Sequence, residues 1–367
     1  MTTTTYTLTC LTPVHVGTGV QYSMFDGAYQ DRHWHVIDLD KVLARGVDAN
    51  ALARAMNSRT FSWSDWLGRQ HMTPIAEAWY ALPCPQDPED TPVREAMKTV
   101  HQQPYLPGTS VKGALRTAVL CYLLQPQLER AGRSREWLEQ PVERVVLGPN
   151  PNHDLMRSVH VSDTAPADLE RLAVGLIWTY TLRGDRLVEK REQNSEYKTF
   201  VEWLTPDTTL RLDIRLDEFL FTDAANRDLR WRGDQTQAVQ QLARTCNTHA
   251  HTIITAEQQF YATHGLDVLR DYYAELEVTL NALPDRAFLL NIGWGGGWTV
   301  KTVGDLLHKA LGDGSFRQLR QRYRLGISPR TRQLDLNAPF PKTRRIAYES
   351  GAARWALGWV KMEPQEG

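Results

Sequence analysis

The sequence contains no apolar run near the roughly 18–20 residues that cross a bilayer, which excludes a membrane-spanning helix as its organising element. Cysteine is scarce: Cys10, Cys84, Cys121 and Cys246 lie far apart with no CxxC pair, the pattern of buried free thiols in a reducing cytoplasm. The opening Met1-Thr-Thr-Thr-Thr-Tyr6 has neither a basic n-region nor an apolar h-region, so no secretory signal is expected. No internal repeat recurs at a fixed period. The Walker spacing GxxxxGK[ST] is absent, which argues against a P-loop nucleotidase. HExxH and HxxxH are absent as well, and His249 and His251, two apart, cannot face one ligand site on a helix. No metal and no cofactor are therefore expected. Net charge is almost absent too, at −1, so bulk charge does not advertise nucleic acid.

What is present is an ordinary globular composition, 42% hydrophobic and 23% charged over 367 residues, enough for one large domain or two of common size. The charge is unevenly distributed. Between Phe316 and Arg345 stand Arg317, Arg320, Arg322, Arg324, Arg330, Arg332, Lys342, Arg344 and Arg345, against Asp335 alone. Such a stretch reads either as a face turned toward phosphates or as a solvated surface.

Alternation predicts strands over Tyr6–Leu11, His33–Ile37, Val159–Asp163, Leu172–Leu182, Thr199–Leu204, Thr209–Leu216 and Trp355–Val360. Helical spacing predicts helices after Asp38, over Ala49–Leu82 with Trp63, Trp66 and Trp79, from Thr109 or Ser110 to about Leu124, near Arg135–Leu147, and over Gln235–Tyr261 and Leu266–Leu280. Strands interrupted irregularly by helices indicate an α+β fold rather than a doubly wound parallel sheet. Residues 1–220 read as a core with a helical insertion at about 45–100. Residues 221–367 read as a helical region, a glycine-rich loop and a closing portion.

Three elements carry chemistry. Leu11-Thr-Pro-Val-His-Val-Gly-Thr-Gly19 runs a strand into a turn whose Gly17 and Gly19 can bring amide groups close to a phosphate, or simply turn the chain over a packed His15. Tyr105-Leu-Pro-Gly-Thr-Ser-Val-Lys-Gly-Ala-Leu-Arg116 delivers the chain to a helix N-terminus, where Thr109 and Ser110 are placed to cap. Lys112 and Arg116, four apart, share one face there. Ile292-Gly-Trp-Gly-Gly-Gly-Trp-Thr-Val-Lys301 looks like a backbone nest for an anion through Gly295, Gly296 and Gly297, with Lys301 following. Its Trp294 and Trp298 could stack on bases or pack the loop to the core.

Together these segments resemble the RAMP superfamily of CRISPR proteins. TPVHVGTG is similar to its opening strand and turn, and LPGTSVKGALRTAVL to its diagnostic PGSSLKGxLR. His160-Val-Ser-Asp-Thr164 resembles its "SDS" strand, and Glu202 with Thr208-Thr-Leu its "E…GT-F" segment. GWGGGWTVKT and Trp355-Ala-Leu-Gly-Trp-Val-Lys-Met362 resemble its glycine loop and closing strand. Within the superfamily the likeness is to the terminal backbone subunit of type III-A (Csm) effector complexes, toward the guide RNA's 3′ end, with type III-B (Cmr) subunits as rivals.

The resemblance implies a modified RRM or ferredoxin-like core with a β-hairpin thumb, placed here at 181–198. It further implies a cytoplasmic, non-catalytic holder of guide and target RNA. Its partners would be other RAMP backbone subunits, small subunits and possibly maturation nucleases, and no membrane. Phosphate contacts would fall to Lys112, Arg116 and Lys301, and amide donation to Gly17, Gly19 and Gly295–Gly297. The competing expectation is an endoribonuclease cutting guide precursor or target RNA, because Asp26 falls in roughly the loop where target-cutting relatives keep an aspartate.

Overall fold

The computed structural model describes residues 2–58, 60–131, 142–192, 195–327 and 332–365. Its framework is an α+β arrangement of two sheets built mainly from antiparallel pairs. The first has five strands in the order Phe288–Asn291, Trp359–Pro364, Thr2–Cys10, Thr209–Leu216, Val159–Val161. Alternation explains it: Tyr6, Leu8 and Cys10 turn inward and pair with Leu212, Leu210 and their neighbours, so two sets of period-two residues fill one core. Over this sheet lie the long helices Gly108–Ala131 and Leu242–His264, with Asp267–Asn281 packed against the latter.

The second sheet has the strand order Ala352–Ala356, Thr343–Glu349, Leu172–Arg183, Lys198–Leu204, Val93–Ala96, Gly17–Tyr22. Arg186–Glu189 folds back on the far end of Leu172–Arg183 through a two-residue turn at Gly184 and Asp185. A smaller ribbon, Arg191–Glu192 with Ser195–Glu196, follows. The expected thumb at 181–198 is thus one hairpin continued by a second short ribbon; residues 193 and 194 lie outside the described residues. A third sheet, Gly27–Gln30, His33–Ile37 and Ala78–Pro83, carries four short helices and its own core of Val42, Leu52, Phe61, Trp63, Trp66 and Leu67.

Three elements differ from the sequence reading. The run Ala49–Leu82 is not one helical stretch: helices Ala49–Met56, Trp63–Arg69 and Pro74–Glu77 give way to the strand Ala78–Pro83, where Trp79 points outward, 61% exposed. Pro74 and alternating burial over Ala78–Pro83 override the helical spacing of the tryptophans. Gln235–Tyr261 breaks into Gly233–Gln240 and Leu242–His264 at Gln241, whose backbone leaves the helical region. The closing segment Trp355–Val360 is split between the two sheets. Gly358, at φ +88°, passes the chain from one to the other, and a β-carbon there would stand 2.3 Å from the Ile292 carbonyl oxygen. Most of the expected helix near Arg135–Leu147 falls at 132–141, outside the described residues; Val142–Val146 is helical.

Candidate nucleic-acid interface

The turn after the first strand is fastened from beneath. His15 is buried, 2% exposed, with Nδ1 2.6 Å from the Glu202 carbonyl oxygen. A carbonyl only accepts, so Nδ1 carries the proton and Nε2 is left as an acceptor. Burial pulls the imidazole pKa down to about 4, so the ring is neutral near pH 7. The glycine-rich loop is stitched to the same turn: the Trp294 amide donates to the His15 carbonyl at 2.8 Å. Gly293, at φ +71°, lies so close that a β-carbon would meet that oxygen at 2.4 Å.

Glu202, fully buried, is the anchor. Its carboxylate accepts from Tyr80 at 2.7 Å, from the Ala96 amide at 2.9 Å and from Lys98 at 2.5 Å. Burial pushes its carboxyl upward while Lys98 pulls the other way. Glu95 beside it accepts from Tyr22 at 2.6 Å and from Thr18 at 2.7 Å. Six polar side chains thereby hold the strand bearing Gly17 and Gly19 against its neighbour Val93–Ala96.

The helix Gly108–Ala131 begins one residue before the expected cap. The Gly108 amide donates to Asp163 Oδ1 at 2.7 Å, and a β-carbon on Gly108 would meet the Val161 carbonyl at 2.4 Å. Thr109 and Ser110 therefore stand in the first turn and do not cap it; a carboxylate from the Val-Ser-Asp segment does. This is a correction with a clear cause: Asp163 is distant in sequence, and a charged acceptor completes the N-terminus better than a hydroxyl within it. Lys112 and Arg116 do share a flank, but Arg116 is engaged with Asp154 at 2.8 Å. Lys112 is half-buried, which lowers its pKa, and it has no ion-pair partner among the described residues.

Three separated motifs meet at one cleft of about 550 Å³. His15, Gly17 and Gly19 form one wall, Ser110, Gly113 and Thr117 of the helix a second, and Gly293, Trp294 and Lys301 a third. Lys301 donates to the Asn291 carbonyl at 2.9 Å, and burial lowers its pKa to about 8. His249, at the same floor, is held near 4 by burial and by the neighbouring Lys301. Gly295, Gly296 and Gly297 instead line a second cleft of about 590 Å³, with Arg183, Lys190, Lys342, Arg344 and Arg345. Thr109, Lys112 and Arg116 line neither of these clefts.

The glycine-loop tryptophans divide. Trp298 packs edge-on to Phe340 at 5.0 Å and over Gly304, a structural role. Trp294 lies against the second sheet with Arg94 4.8 Å and Arg345 4.6 Å from its ring centre. Arg94 was not expected; it sits in a strand of mixed polarity without any motif, and only the sheet brings it to Trp294. Glu95, Lys98 and Tyr80 escaped notice for the same reason.

The basic stretch does not form one phosphate-facing surface. Arg320 is 5% exposed and donates to the carbonyls of Asp335, Leu336 and Ala338. Arg344 pairs with the buried Glu257 through two bonds of 2.7 and 2.9 Å. Lys342, Arg345 and Arg332 are exposed, and Arg330 lies outside the described residues. Asp26 accepts from the Ser23 amide and hydroxyl, both at 2.7 Å, as the closing residue of a local turn.

Among the described residues no three His, Cys, Asp or Glu side chains gather as a metal-binding group. All four cysteines are buried and free, and burial pushes Cys10, Cys84 and Cys121 up to about 12. No described helix is long and apolar enough to cross a membrane.

A model of the RAMP superfamily matches residues 7–300. The chain is similar to the CRISPR system Cms protein Csm5 of Methanocaldococcus jannaschii, 24% identical over 96% of this chain and 87% of that protein. It is also similar to Csm5 of Streptococcus thermophilus, 23% identical over 63% of this chain and 68% of that protein. Among solved structures it superposes on a chain of a cryo-EM Csm–crRNA–target RNA ternary complex of a type III-A CRISPR-Cas system. That match has a TM-score of 0.76 and 23% identity, covering 98% of this chain and all of the other. The crystal structure of T. onnurineus Csm5 matches with a TM-score of 0.67 and 22% identity, over 96% and 99% of the two chains.

Proposed function

The chain belongs to the RAMP superfamily, and from that premise we propose that it is a backbone subunit of a type III-A effector complex that holds guide RNA near its 3′ end. Its neighbours in that reading are other RAMP backbone subunits and the small subunits, with target RNA paired to the held guide. Its relatives of similar length are Csm5 proteins, and a chain of the same fold occurs in a complex with crRNA and target RNA. One observation carries the reading on this chain: three glycine-bearing motifs, far apart in sequence, line a single cleft whose floor holds Lys301 and whose rim holds Arg94.

Such a cleft offers backbone amides and cations, which hold phosphates without reading bases. A guide-holding subunit must accept any guide sequence, and base pairing then supplies specificity. The role of maturation nucleases as partners belongs to the same proposal, as does a cytoplasmic location. Cleavage by this chain is not favoured by the geometry around Asp26, whose carboxylate closes its own turn. His15 is buried with Nδ1 bound to the Glu202 carbonyl, and only a glycine at 17 fits beside its Nε2, since a β-carbon there would stand 2.8 Å away.

The test is binding of the full chain to labelled single-stranded RNAs of unrelated sequence across a salt series. Similar affinities with a steep fall in rising salt support the reading. A strong preference for one sequence, or affinity indifferent to salt, overturns it.

A further inference from the structure

We propose that Arg94, Arg345 and the Trp294 ring form a clasp for one backbone phosphate of bound RNA, an inference that rests on the RNA-binding reading above. Arg94 comes from the strand Val93–Ala96 and Arg345 from Thr343–Glu349, with Leu172–Arg183 and Lys198–Leu204 between them in the sheet. Adjacent strands lie about 4.8 Å apart, so these two backbones are separated by roughly 14 Å. Both side chains nevertheless converge on one indole, their guanidinium carbons 4.8 and 4.6 Å from its centre.

Two like charges drawn together need a reason. The ring face supplies part of it, since guanidinium groups are attracted to the indole quadrupole. No carboxylate supplies the rest. Glu95, next to Arg94, is taken by Tyr22, Thr18 and Lys98. Glu349, on the strand of Arg345, faces Arg354, and Glu202 is buried against Lys98. Neither the Arg94 nor the Arg345 guanidinium has a hydrogen bond or an ion pair among the described residues. Partial desolvation beside Trp294 and the charge of Arg94 together lower the Arg345 pKa, and Arg94 also disfavours a charged His15. Arg94 lines the motif cleft and Arg345 the second cleft, and the indole they share thus carries a pair of cations with no carboxylate partner.

A phosphate between the two guanidinium groups removes their repulsion and meets their donor forks with its oxygens. The indole is then a pedestal that holds the two arginines, not a platform for a base. The clasp is consequently indifferent to base identity, as the proposed guide-holding role requires.

The experiment uses the full chain with single-stranded homopolymeric RNAs of uridine and of adenosine, comparing wild type with Arg94→Gln, Arg345→Gln and the double variant. One shared phosphate predicts that the slope of log affinity against log salt shrinks by about 0.7 in each single variant and no further in the double variant. Affinity falls by about tenfold in each, equally for both RNAs, with unchanged thermal melting. Arg94→Lys and Arg345→Lys, which keep the charge and lose the fork, keep the slope but lose affinity, and they serve if a glutamine variant folds poorly. Wild-type binding that is intact, with slopes unaltered in the variants, overturns the clasp and leaves the RNA-binding reading standing. A slope that drops twice over in the double variant means two separate phosphates and also overturns it. A wild-type chain that does not bind RNA overturns the underlying reading instead.

Discussion

Two regions rich in arginine use it in opposite ways. Around Glu257 and Leu336, the densest basic stretch of the chain commits two of its arginines internally: Arg344 is locked to Glu257, and Arg320 staples three carbonyls of the loop that follows it. Around the motif cleft, local charge is sparse in sequence, yet Arg94 and Lys301 line the opening without a carboxylate partner. Charge density along a sequence therefore misreports which cations are available to a ligand. A guanidinium with a buried carboxylate or a ring of carbonyls already has its donors filled, and its loss registers in stability rather than in binding.

Sharpening that contrast begins with Arg344→Ala, which strands the buried Glu257 carboxylate. We expect a loss of about 3–5 kcal/mol in unfolding free energy, read from denaturant titration, with the salt slope of RNA binding unchanged in the fraction that folds. Arg320→Ala removes three donors to carbonyls and should destabilise by about 2–3 kcal/mol, again without altering the salt slope. If either variant instead binds RNA more weakly at full stability, the internal role assigned to this stretch is wrong.

The flank of the Gly108–Ala131 helix gives a smaller split. Lys112→Ala should weaken RNA binding by about 1–2 kcal/mol with melting intact, the scale of one charge-assisted hydrogen bond. Arg116→Ala should instead lower the melting temperature, because it breaks the contact with Asp154. Equal behaviour of the two variants would erase the distinction.

Lys301 tests the cleft by pH. Its folded pKa of about 8 lies below the ordinary 10.5, so the group is charged below about 8 and neutral above. Holding that charge opposes folding at neutral pH, and the opposition fades as pH rises toward 10.5. Phosphate binding favours the charged form, so RNA affinity should fall as pH rises from 7 to 9, and Lys301→Met should flatten that profile. A wild-type profile already flat across this range would remove Lys301 from the interface.

Asp26→Ala carries the smallest expectation: a turn loosened by about 1 kcal/mol or less, and every cut in labelled complementary RNA retained by the reconstituted complex. Loss of one cut at the end nearest this subunit would make Asp26 catalytic.

Much of the architecture was legible from residue pattern alone. Alternation over Thr209–Leu216 and Leu172–Leu182 located two strands, the second of which runs one residue further, and Asp38 announced its helix. These are local signals, set by period and by capping chemistry within a few residues. The family motifs also stood out, because glycine at fixed spacings is a local requirement of backbone shape. Partnership was not legible. That Asp163 rather than Thr109 caps the helix, that Trp79 faces outward from a strand, and that Gly358 switches sheets depends on contacts across long sequence separations. Only tertiary structure could decide that Arg344 is spent on Glu257 while Arg345, its neighbour in sequence, remains available over Trp294. Adjacent residues of a strand point to opposite faces, and the sheet's neighbours determine what each face meets.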